Sequence, residues 1–209
     1  MSKYFDAERP IRHLQSLYTV VAGLALTVAM TNLIDQNQEI PIRLSVLPYF
    51  FAYLFTLVPF YHGALRHLDK TYLEDSVKNI KSGALMADWG LLFLESCLFL
   101  GMALLLQHPV SFSYIFIFLL VFDMLWGFFA HLAFSQQSKR QKADVKWSII
   151  NIVTSISLIA VLVFLDAIDN TNKPIETYRW IMILSISTVR TIWDYSWCRD
   201  FYFPQLDDN

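Results

Sequence analysis

The run ALMADWGLLFLESCLFLGMALLL, residues 84–106, decides the fold class. Its last eleven residues, 96–106, are apolar on every side of a helix, with neither the period-two alternation of a barrel strand nor a water-facing stripe. A helix of this length rises about 35 Å, enough to cross a hydrocarbon core of about 30 Å. The same run carries Asp88 and Glu95, seven apart and therefore on one helix face. Charge at membrane depth is costly, so these carboxylates mark a site or a structural pairing.

Five further stretches, 17–34, 45–61, 112–134, 147–165 and 178–197, are long and apolar enough to be read the same way. Composition agrees: 56% of the 209 residues are hydrophobic, only 16% are charged, and mean hydropathy is +0.42. The chain is expected to be one membrane domain over residues 1–209, an all-α polytopic bundle of six transmembrane helices. The first stretch lacks a small-residue cleavage site and is kept as a helix. In the second, Pro48 and Pro59 are expected to introduce a bend. Residues 63–83 place Leu65, Leu68, Tyr72, Leu73, Val77 and Ile80 near helical spacing among charged residues, which predicts a short cytoplasmic amphipathic helix lying in the headgroup layer.

Orientation follows from the sixteen basic residues. With the N-terminus in the cytoplasm, twelve fall on inner segments, three (Arg43, Lys173 and Arg179) fall on outer ones, and Arg190 lies inside the last span. The positive-inside rule is then satisfied in one orientation, with both termini cytoplasmic, and a plasma (inner) membrane is the expected location. Outer connections are short, 107–111 above all, which leaves function to the bundle and its inner face.

Several function classes drop out. No Gly-rich phosphate loop, Gly-x-Ser-x-Gly, His-Glu-x-x-His or Cys-x-x-Cys occurs in the sequence. A formal charge of −2 supports no nucleic-acid partner. Cys97 and Cys198 fall near opposite depths, so no disulfide is expected. His62 and His67, five apart, point to different parts of a helix. A metal centre built from His62, Asp88, Asp123 and His131 would lack any ligand-spacing motif, so no metal, cofactor or catalytic residue is assigned. Trp89, Trp126, Trp193 and Trp197 read as packing or interfacial residues.

Depth brings the polar residues together. Asp88 lies one turn into the third span and Glu95 near its middle; Asp123 is mid-span in the fourth, with His131 close to the cytoplasmic surface. Asn151 shares a stripe with Ser148 and Ser155 on the fifth span, while Arg190 falls just past the midplane of the sixth with Asp194 one turn nearer the cytoplasm. Asp88, Glu95, Asp123, His131, Asn151, Arg190 and Asp194 form the candidate ion, proton or solute site. Residues 21–29, 97–106, 112–122 and 158–165, on the outer side, contain no Asp, Glu, His, Lys or Arg. A cytoplasm-facing acidic cavity over a dry floor is expected, in preference to an open pore. Arg190 and Asp194, four apart, are expected to neutralise each other or to anchor an anion together.

The expected work is gated movement of an ion, proton or small solute by a homo-oligomer in the lipid bilayer. Two other classes stay open. One is a membrane sensor or anchor subunit that recruits a cytosolic partner through 63–83 and 135–146 in a stress or defence system. The other is a membrane-embedded enzyme acting on lipid, against which the missing catalytic motifs weigh.

Overall fold

The computed structural model describes residues 4–34, 41–74, 82–133, 141–168 and 175–203. They form six long helices, α1 (Tyr4–Leu33), α2 (Leu47–Leu68), α3 (Ser82–Leu104), α4 (Pro109–Ala133), α5 (Gln141–Ile168) and α6 (Ile175–Trp197), then the four-residue α7 (Arg199–Tyr202). The fold is all-α, with one isolated antiparallel bridge, Ile34 to Ile42, in the α1–α2 connection. Helix α1 packs on α3, α3 on α4, α4 on α5, α5 on α6, α6 on α2 and α2 on α1, closing a ring.

Side chains are sorted inside out. Val163 and Val189 are 64% and 63% exposed, and Val20, Leu24, Phe118 and Ile156 also face outward, whereas Asp88, Glu95, Asn151, Arg190 and Asp194 are at most 4% exposed. So extensive an exposed apolar surface suits hydrocarbon and would be a liability in water. Four helices are long and apolar enough to cross a membrane: Glu8–Leu33, Gly83–Leu104, Pro109–Phe129 and Val145–Ile168. Helices α2 and α6 match them in length but are interrupted by polar residues, including His62 and Arg66 on one and Arg179, Arg190 and Asp194 on the other. Their outward faces are nonetheless apolar, with Phe51 and Val58 on α2 and Ile181, Val189 and Ile192 on α6.

One stripe explains the length of α1. Ile11, Leu14, Tyr18, Ala22, Ala25, Ala29 and Leu33 recur at three- and four-residue intervals and are all buried. The three alanines let neighbouring backbones approach closely. Because the stripe begins at Ile11, the helix extends well before residue 17, the expected start of the span. Ile11 and Leu14 cluster with Leu68 and Tyr72, so the apolar side of the segment after α2 packs against protein. The segment continues α2 as a π-helical turn, Asp69–Glu74, whose apolar side is covered by α1 and by Leu92 of α3. Gln15 Nε2 donates to Asp69 Oδ1 at 2.8 Å and ties the turn to α1. Residues 75–81 of the expected amphipathic segment lie outside the described residues, and its last two, Ser82 and Gly83, open α3.

Pro59 lies inside α2 and has no N–H to give the carbonyl of Phe55. That carbonyl accepts instead from Thr191 Oγ1 of α6 at 2.5 Å, so the gap in one helix's ladder becomes a tie between two helices. Toward the other end the core is dry and aromatic, with edge-to-face pairs Tyr49–Phe112, Tyr53–Phe99 and Phe60–Phe99. At that far end Asn32 Nδ2 donates to Ala103 O at 2.9 Å and Arg179 meets Asp166 at 3.2 Å.

Candidate functional site

The alternating helices bring the start of α1, α3 and α5 and the end of α2, α4 and α6 to one end of the ring. A cavity of about 60 Å³ lies there, lined by Phe60, His67, Glu95, Asp123, Trp126, Trp147, Arg190, Asp194 and Tyr202 among others. At about 10–15 Å³ per water it has room for about four to six. Four of the seven residues singled out from the sequence therefore share one cavity: Glu95, Asp123, Arg190 and Asp194. Asn151 sits directly behind them. Asp88 belongs to an adjoining cluster, and the side chain of His131, on α4, lies outside the described residues.

Asn151 joins three helices. Its Nδ2 donates to Asp123 Oδ2 of α4 at 2.5 Å, and its Oδ1 accepts from Arg190 Nη2 at 3.1 Å and Nε at 3.4 Å. An amide offers a donor and an acceptor together, so it links carboxylate to guanidinium without direct ionic contact. The guanidinium also stacks on the Phe60 ring, 4.5 Å from its centroid. Arg190 Nη1 is buried and takes no hydrogen-bond partner among the described residues.

The expected Arg190–Asp194 pair is not made. Asp194 turns the other way, accepting from Trp147 Nε1 at 3.1 Å and from the Tyr202 hydroxyl at 3.0 Å. One helical turn separates the two residues, but α5, α2 and α7 present better-placed partners to each. Glu95 is held by Tyr18, whose hydroxyl donates to Oε1 at 2.9 Å; Oε2 receives no hydrogen bond from a described residue. Asp88 accepts from the Tyr72 hydroxyl at 2.5 Å and lies 3.4 Å from His67 Nε2. The imidazole beside a carboxylate is thus His67. His62 faces the Tyr195 hydroxyl at 3.3 Å and packs against the Tyr202 ring. Of the metal set considered from the sequence, His62 and Asp88 thus take different partners, and among the described residues no three His, Cys, Asp or Glu side chains gather to hold an ion.

Helix α7 closes this end. Phe201 meets Trp147 edge to face at 4.6 Å, Arg66 Nε donates to Phe201 O at 3.0 Å, and Lys70 Nζ lies 5.0 Å from the Phe201 ring. A Cβ on Gly63 would come within 3.4 Å of the Tyr202 hydroxyl, so a small residue there lets the tail seat against α2. Burial, reinforced by the Asp194 carboxylate, pushes the Cys198 thiol up to about 12 and raises the Tyr202 phenol well above its ordinary value. Tyr202 therefore keeps its proton and donates it to Asp194.

Tyr18, Tyr72, Trp147 and Tyr202 were not among the candidate site residues read from the sequence, although each satisfies a buried carboxylate. A signal existed for Tyr18, a phenol on the buried stripe of α1. Trp126, read as packing or interfacial, lines the cavity, whereas Trp89 is half-exposed and stacks on Phe93. Chemically, the cavity offers three carboxylates and one arginine, walled by aromatic rings. No protein-family model, no curated protein and no solved structure matches the chain.

Proposed function

We propose that the chain spans the membrane six times with both termini in the cytoplasm, and that its cavity serves the gated movement of a cation or proton entered from that side. One observation carries the reading. Glu95, Asp123, Asp194 and Arg190 line one cavity, with room for a few waters, at the basic end of a bundle whose other half is dry and aromatic. Helices α2 and α6, at 22 and 23 residues, rise about 33–35 Å and have apolar outward faces, which supports counting them as spans. The remaining outer surface meets lipid and, in a homo-oligomer of the plasma (inner) membrane, further copies.

Reporter fusions at both ends test the topology: activity of a reporter that works only outside the cytoplasm, at either terminus, contradicts it. Proteoliposome flux tests the cavity. Glu95→Gln and Arg190→Gln are each expected to lower cation or proton flux at least about tenfold, the scale of one lost charged contact. Absence of any proton, K⁺, Na⁺ or Cl⁻ flux from the wild type under an imposed gradient would sink the reading.

A further inference from the structure

We infer that the cavity's ligand is a small organic ammonium ion, held by the Glu95 and Asp123 carboxylates inside a wall of aromatic rings. The inference rests on the functional reading just given and adds the chemical class. Charge decides the sign of the ligand. Glu95, Asp123 and Asp194 face the cavity against Arg190 and His67; the Arg190 guanidinium is engaged by Asn151 through Nη2 and Nε and stacked on Phe60, which leaves Nη1 without a partner among the described residues. An anion would have to approach three carboxylates.

Glu95 supplies the specific point of attachment. It is only 4% exposed, it lines the cavity, and its Oε2 accepts no hydrogen bond from a described residue. An oxygen that reaches the cavity from so buried a side chain calls for a donor or a cation. The walls then select among cations. Phe60, Trp126, Trp147 and Tyr202 present ring surface, which replaces the weak hydration of an alkylammonium but not the tight shell of Na⁺. Volume sets the size: space for about four to six waters admits about as many heavy atoms, and tetramethylammonium has five.

Titration of tetramethylammonium chloride into the full chain in lipid nanodiscs, followed by calorimetry, tests this. The expected result is saturable binding, weakened at least about tenfold by Glu95→Gln and by Trp126→Leu and unchanged by Glu8→Gln, which lies away from the cavity. The two cavity variants perturb different elements, so a folding failure in one leaves the other to decide, with thermal unfolding reporting the fold of each. Equal heats from NaCl at matched ionic strength, equal binding of tert-butanol (a neutral molecule with the same number of heavy atoms), or binding insensitive to both variants overturns the inference. If inorganic cation or proton flux persists without tetramethylammonium binding, the ligand class falls and the transport reading stands. Binding without any flux does the opposite: the ligand class stands and transport falls.

Discussion

Replacing Arg190 with Met is expected to destabilise the folded protein by about 3–5 kcal/mol, the scale for removing one partner from a buried ionic network. Methionine preserves length and can still lie on the Phe60 ring, so the loss isolates the charge. Without it, Asn151 Oδ1 loses its donors and Glu95, Asp123 and Asp194 lose the cation that shares their cavity. A second substitution that removes a carboxylate, Asp123→Asn or Glu95→Gln, is then expected to restore at least about 1 kcal/mol, because groups in one network couple. Denaturant unfolding in micelles, run as a double-mutant cycle, measures both quantities. An Arg190→Met cost below about 1 kcal/mol, or second substitutions that simply add to the damage, would show that the arginine does not balance these acids.

Substituting Tyr202 with Ala is expected to release α7 and to accelerate alkylation of Cys198 at least about tenfold. A four-residue helix has no stability of its own; it stays in place through its tertiary contacts. Tyr202 is 4% exposed and supplies both ring contacts to Trp147 and His62 and the hydrogen bond to Asp194. Removing so much buried aromatic surface costs about 3–5 kcal/mol, more than enough for a local opening. Cys198 reports that opening because its thiol is buried and held up to about 12, leaving little reactive thiolate near neutral pH. The measurement uses a Cys97→Ser background, since Cys97 is exposed. Tyr202→Phe, which keeps the ring and loses one donor, is expected to accelerate the reaction less. Equal rates in wild type and Tyr202→Ala would mean that the tail is anchored elsewhere.

Much of the candidate site was legible before any fold was known, because a helix rises by a constant amount per residue. Counting along each expected span was enough to place Glu95, Asp123, Asn151, Arg190 and Asp194 toward one half of the bundle, and four of these line one cavity with the fifth hydrogen-bonded behind it. Azimuth was not legible. Each residue turns a helix by about 100°, so whether Arg190 meets Asp194 on its own helix or Asn151 on the next depends on how α5 and α6 are rotated. The same uncertainty hid His67 beside Asp88 and Tyr18 beside Glu95, contacts made between residues 21 and 77 positions apart.

Local composition by itself determined that the chain forms long apolar helices and that its charges collect toward one end. Those properties need only the cost of placing polar groups in hydrocarbon, which each segment meets alone. Tertiary structure alone decided which buried group satisfies which. It set Thr191 against the carbonyl left open by Pro59, packed Ile11 and Leu14 of α1 on the π-helical turn, and folded Tyr202 back onto Asp194. These pairings depend on the rotation and closure of the whole ring, because a buried donor is placed by the helix that carries it and the acceptor by another.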